Sequence, residues 1–348
     1  MKPAILGFLG ALALASTSQA ITIQLDYEFA GNFYNNNPAA RAALEKAAAD
    51  LSNALTPSLN SVNQGFFTSD LVDLSWGTSF TNPSADPVTG PIVEKAFSPI
   101  AADVVKIYVG AFSFANPGTL GVGGPVSMTL EPAWINGASK SQLQADVDKV
   151  SAESNAVIRR PSGPQIGTIN GTLEASDGDV KISLVYGLFG GTLTMDTDAD
   201  WHFDINSPVE AGKFDFYSVA LHEMVHALGF GTSETWGDQA SGANWSGSNV
   251  SALVGTGMDL LSLDHPGHIA DGTMSFNIYT GIEQEALMDP NILPGTRKEL
   301  TALDLAFLRD LGYGTIVAVP EPGTGVLFAF AAVAVTFAWR RSRRGVSA

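Results

Sequence analysis

Cysteine is absent from all 348 residues. That excludes a disulfide-stapled secreted module and any Cys-ligated zinc finger or iron–sulfur centre. Positive charge is scarce as well: 18 Lys and Arg stand against 35 Asp and Glu, a net charge of −17. A chain this acidic repels phosphate, so nucleic acid is not an expected partner. Charged residues make up only 15% and hydrophobic residues 45%, which is enough apolar material for a core and excludes wholesale disorder. No internal repeat is visible.

Both ends read as addresses. Residues 1–20 carry Lys2, an apolar run over 4–15 and a small-x-small site at Ser18-Gln19-Ala20. This pattern predicts a secretory signal peptide cut by signal peptidase, with a mature chain from Ile21. The other end runs Val319-Pro320-Glu321-Pro322-Gly323-Thr324, then fifteen uncharged residues Gly325–Trp339, then Arg340, Arg341, Arg343 and Arg344. It reads as a Pro-rich linker, a short membrane-anchoring segment and a positive stop. Fifteen helical residues reach about 22 Å against a hydrocarbon core of about 30 Å, a gap that snorkelling arginines would have to close. These three parts resemble the PEP-CTERM sorting signal of Gram-negative bacteria. The resemblance implies export across the inner membrane, transient anchoring by residues 325–339, processing by an exosortase-type enzyme, and surface display or release. Without both ends, 13 basic and 34 acidic residues remain over 21–318, a net charge of −21.

Within 21–318, strict alternation from Ile21 to Phe29 predicts a half-buried strand. Asn37-Pro38 opens an Ala-rich helix to about Leu55, with Asn as cap and Pro at the first helical position. Strands are expected at Asp103–Phe112, Val180–Tyr186 and, after a Gly190-Gly191 turn, Gly191–Asp196. Residues 113–178 yield only a weak helix near Lys140–Asn155. Asp196, Asp198 and Asp200 raise a Ca2+ loop, but the sixth and twelfth positions of an EF-hand hold Trp201 and Ser207, so a solvated acidic turn is favoured.

All five histidines fall between residues 202 and 268. Two form His222-Glu223-Met224-Val225-His226 in the apolar segment Ser218–Leu228, which predicts a buried helix ended by Gly229. One turn apart, His222 and His226 face the same way and both reach one Zn2+, while Glu223 is placed to take a proton from water. Two imidazoles and a carboxylate in apolar surroundings are costly without a compensating partner, and a metal supplies one. His202 is expected at the surface or in a cleft and not as a ligand. Arg297–Leu311 predicts an amphipathic helix, with Thr301 as a cap and Gly312-Tyr313 as its end.

His222–Gly231 reads HEMVHALGFG and resembles the metzincin metalloproteases, whose helix runs HExxHxxG into a sharp turn. Thr232 stands where most of them place the third His, so the third ligand comes from farther along. His268-Ile269-Ala270 followed by Glu285-Ala286-Leu287-Met288 resembles the leishmanolysin-like arrangement. That resemblance implies His268 as third ligand, with His265 as the alternative, and Met288 as the Met-turn residue, with Met274 a weaker candidate. It implies an α+β fold in which a twisted mixed sheet, a long N-terminal helix and a buried active-site helix (about 21–229) precede a C-terminal subdomain with Met-turn and terminal helix (about 230–318). It implies a zinc endopeptidase with Glu223 as general base and a protein or peptide as substrate, held along Gly191–Asp196. Two other readings stay open: a non-catalytic PEP-CTERM surface or biofilm-matrix protein with a structural metal site, and a gluzincin-type hydrolase with a carboxylate third ligand. The absence of Cys excludes inhibition by a cysteine switch.

Overall fold

A computed structural model describes residues 20–316. The signal peptide expected at 1–20, apart from Ala20, and the sorting segment expected at 319–348 lie outside the described residues.

The architecture is mixed α+β. The expected N-terminal strand is β1 (Thr22–Asp26) and the expected Ala-rich helix is α1 (Pro38–Ala54). Pro38 occupies the first helical turn, but Asn37 does not cap it. Its side-chain amide instead donates backward to the Phe33 carbonyl at 2.9 Å. Ala40, Ala43, Leu44, Ala47, Ala48 and Leu51 recur at helical spacing and are all buried, so small side chains let this helix lie close to its neighbours.

The strands β2 (Phe66–Thr68), β3 (Val72–Thr81), β4 (Ile92–Ala96), β5 (Val104–Phe112) and β6 (Gly121–Pro125) follow α1. Then come β7 (Ser127–Trp134), α2 (Lys140–Ile158), β8 (Gln165–Ala175), β9 (Gly178–Gly187) and β10 (Gly190–Asp196). One sheet has the order β1-β5-β10-β6. β1 and β10 both run parallel to β5, and β6 closes the edge antiparallel to β10. Val105, Ile107 and Val109 of β5 are fully buried, as expected of a central strand with covered faces. A second, antiparallel sheet pairs β3 with β2, β4 and β7. A long antiparallel hairpin, β8–β9, packs against α2.

Residues 113–178 therefore hold two strands, a helix and half a hairpin. The helix expected near Lys140 is α2, capped by a reciprocal Ser139–Gln142 box. Gly190 and Gly191 are not a turn. They lie within β10, where a Cβ on Gly190 would meet the Lys106 carbonyl at 2.5 Å. That strand is also not an edge, because β5 and β6 pair with it on both sides.

Two further helices complete the site region: α3 (Phe216–Ala227) and α4 (Ala302–Asp310). The buried helix falls where its periodicity places it, and the terminal helix, expected over Arg297–Leu311, begins only at Ala302, after its Thr301 cap. Thr301 caps α4 in a box with Asp304.

The membrane span expected at Gly325–Trp339 is corrected. Among the described residues no helix is long and apolar enough to cross a membrane. The segment itself lies outside those residues.

Candidate metal centre

Eleven of the twelve residues of α3 are buried, His222 being the half-exposed one. The Asp215 carboxylate caps the helix, accepting from Ser218 N at 3.2 Å and Ser218 Oγ at 2.7 Å. Arg297 braces that cap with Nε and Nη2 donating at 3.0 and 2.8 Å. At the other end Gly229 takes a φ of +99°, a left-handed conformation that costs little only for glycine. The chain then turns, and Phe230 enters an aromatic cluster with Trp236 and Phe307, at ring distances of 4.3 and 5.4 Å.

His222 and His226 lie one turn apart on α3, with ring centroids 4.8 Å apart. His268 arrives on a distant loop, and two glycines bring it in. Gly231 (φ +71°) and Gly267 (φ +88°) meet backbone to backbone, and a Cβ on Gly231 would lie 2.3 Å from the Gly267 carbonyl oxygen. No side chain fits between the end of α3 and the loop carrying His268.

The three Nε2 atoms converge. The His222–His226 and His226–His268 separations are 3.1 Å, and His222–His268 is 3.2 Å. Each Nδ1 faces a carbonyl: Leu287 O at 2.8 Å for His222, Phe230 O at 2.8 Å for His226 and His265 O at 3.3 Å for His268. A carbonyl only accepts, so each Nδ1 carries the proton and each Nε2 presents a lone pair. Three lone pairs aimed at one point repel unless a cation lies between them. A tetrahedral zinc with bonds of about 2.0–2.1 Å needs its nitrogens about 3.3 Å apart, close to the spacing observed. Burial lowers the pKa of His226 to about 3, helped by its neighbour His268. It also lowers the values of His222 and His268. All three rings are therefore neutral near pH 7, the form a metal requires.

Among the described residues, this is the group of three or more His, Cys, Asp or Glu side chains close enough to hold one ion. Its third member is a histidine and not a carboxylate. His265 is exposed and contributes its backbone carbonyl, not its ring. Asp196, Asp198 and Asp200 form no such group. Asp196 accepts from the amides of Phe114 and Asp198, and Asp198 from Ser113 and Thr197. His202, expected at the surface or in a cleft and not as a ligand, is buried, lies outside the triad and is bonded to the Asp204 carbonyl at 2.7 Å.

Glu223 is buried, and desolvation pushes its carboxyl pKa up to about 8, opposed by a hydrogen bond from the Gly123 backbone. β6 passes directly over it. A Cβ on Gly121 would lie 2.8 Å from Glu223 Cγ, and one on Gly123 would lie 2.0 Å from the Glu223 carbonyl oxygen. The glycine-rich sequence of β6 is therefore what lets the strand run over α3. A cleft of about 440 Å³ opens beside the triad, lined by Gly121, Val219, His222, Glu223, His268 and Leu287 among others. Sequence reasoning missed this strand because glycine is depleted in strands, and GVGGP reads as a loop. Met288 is fully buried in a turn with Leu287. Met274 is half exposed on a short strand and lies outside the core.

Residues 318–344 match the family model of the PEP-CTERM protein-sorting motif. No curated protein matches the chain, and no solved structure does. The motif implies handling by an exosortase-type sorting system and delivery to the cell surface or exterior. With a triad capable of coordinating a metal, it is consistent with a metal-binding exported protein.

Proposed function

We propose that the chain is an exported zinc endopeptidase of metzincin type, with His222, His226 and His268 as ligands and Glu223 as general base. The observation that carries this reading is the set of three deprotonated Nε2 atoms within 3.1–3.2 Å of one another, on a cleft that also contains Glu223. A structural metal site has no need of a buried carboxylate beside its ligands. A zinc ion, when bound, supplies a Lewis acid that acidifies water and polarises the scissile carbonyl.

The protein's own groups do the rest. Leu287 O, Phe230 O and His265 O hold the rings in the ligating tautomer. Glu223 Oε, kept as the carboxylate when a cation on the triad offsets its desolvation, would take a proton from the attacking water and deliver it to the leaving amine. β6 has one edge free of strand partners among the described residues, and its backbone amides and carbonyls suit an extended peptide laid antiparallel or parallel to it. This assigns the substrate strand to Gly121–Pro125 in place of Gly191–Asp196. Met288, packed in the core beside the Leu287 carbonyl that holds His222, is the Met-turn residue of this reading.

Casein hydrolysis by the purified protein beside Glu223→Ala, with zinc quantified in both, tests it. The expected result is about one zinc per chain in both and cleavage only in the wild type, with activity lowered about 10²–10⁴-fold in the variant. Zinc in both without cleavage in either would favour a surface protein with a structural metal.

A further inference from the structure

Asp304 is fully buried at the first turn of α4. Its Oδ2 accepts from Thr301 N at 2.8 Å, Thr301 Oγ1 at 2.7 Å and Leu287 N at 3.0 Å. Its Oδ1 accepts from Met288 N at 3.1 Å. All four partners are donors, so this environment satisfies the carboxylate form. Capping α4 accounts for the Thr301 bonds. The bonds to Leu287 and Met288 reach outside the helix, into the turn beside the histidine cluster.

The second of these bonds has a direct electronic consequence. Met288 N–H and Leu287 C=O belong to one peptide unit. That unit donates to Asp304 at one end and accepts His222 Nδ1–H at the other, at 2.8 Å. A peptide that donates to an anion becomes a stronger acceptor at its oxygen, because hydrogen bonds in a chain polarise one another. A stronger acceptor at Nδ1–H raises the electron density at Nε2, as a carboxylate bound directly to a ligating histidine does. The same turn also supports the third ring, since Met288 O accepts from Ile269 N, the residue after His268, at 3.0 Å.

We propose that Asp304 is a positioning residue for the metal centre: through the Leu287–Met288 peptide it fixes the tautomer and orientation of His222, strengthens its Nε2 as a ligand, and steadies the loop that carries His268. This rests on the triad being a metal site and not on peptide hydrolysis. No other carboxylate among the described residues accepts from this turn's two amides.

Asp304→Asn keeps the size of the side chain but offers only one acceptor oxygen, so one side of the clamp faces an amide N–H with another N–H. Thr301→Ala is the control, because it removes the hydroxyl that caps α4 and leaves the Leu287 and Met288 bonds in place. The full-length purified proteins are titrated with zinc against a chromophoric chelator and with Co2+ followed by visible absorption. Asp304→Asn is expected to bind zinc about 10- to 100-fold more weakly than wild type, with altered cobalt bands, whereas Thr301→Ala loses thermal stability but keeps wild-type affinity and bands. A folded Asp304→Asn with wild-type affinity and spectrum overturns the proposal, as does an equal loss in Thr301→Ala. Amide exchange and the His222 Nδ1–H resonance in metal-free wild type decide the matter if the Asn variant does not fold. The Leu287 and Met288 amides and that ring proton should exchange as slowly as the core of α4, and fast exchange overturns the clamp. A wild type that binds neither metal refutes the metal-site reading instead, and the exchange measurement still decides whether the clamp exists.

Discussion

Gly231→Ala should dismantle the metal centre without touching a ligand. The new Cβ would lie 2.3 Å from Gly267 O and 2.7 Å from Gly267 Cα. Ordinary contact requires more than 3 Å, so the loop must retreat by about 1 Å. His268 is the next residue and moves with it. Metal sites tolerate about 0.2 Å of error in ligand distance, so a 1 Å retreat removes one ligand of three. A φ of +71° adds strain of about 1–2 kcal/mol for any residue with a Cβ. That strain alone would weaken the fold and not the site, and Gly242→Ala separates the two. Gly242 has a φ of +59° and nothing within 4 Å of its added Cβ. Both variants should stay folded by circular dichroism and lose similar stability to urea. Only Gly231→Ala should lose zinc affinity, by about 100-fold in chelator competition. Wild-type affinity in Gly231→Ala, or an equal loss in Gly242→Ala, would refute the argument that this backbone contact delivers His268.

Other outcomes follow from the same geometry. His268→Ala should lose zinc at concentrations where His265→Ala keeps it, measured by competition; the reverse would exchange the third ligand. Asp215→Ala leaves Arg297 without its buried partner and uncaps α3. Breaking such a pair costs about 3 kcal/mol, to be read as a lower urea midpoint at unchanged slope, and an unchanged midpoint would show that the cap and the pair carry no stability. Gly123→Ala, whose Cβ would lie 2.0 Å from the Glu223 carbonyl, should push β6 off α3 and raise KM for casein while zinc content is kept. Loss of zinc with unchanged KM would show that the strand serves the metal site and not the substrate.

The residues legible in the sequence are those whose partners are close in sequence. His222 and His226 meet because a helix places i and i+4 together, and the apolar run around them announces burial. Thr301 and Asp304 form a cap three residues apart. His268 was legible only as one of two candidates, because its delivery depends on two glycines 36 positions apart, Gly231 and Gly267, whose contact leaves no periodic trace. The strand topology was not legible. Asp196 ends a strand that reads as an edge from its own residues, yet β6 pairs with it from the other side of a stretch that composition describes as loop. The second sheet went unseen for a related reason: β4 alternates between exposed and half-buried positions, and its hydrophobic signal is weak. The burial of His202 was not legible because it comes from pairing Trp201-His202 with Phe214-Asp215, a contact the local sequence does not announce.

X-ray absorption at the zinc edge on the purified protein tests the central claim most directly. The expected result is one zinc per chain, with three imidazole nitrogens at about 2.0–2.1 Å and one oxygen ligand from water. A shell of carboxylate oxygens with fewer than three imidazoles, or a protein that carries no stoichiometric metal after dialysis against zinc, would contradict it.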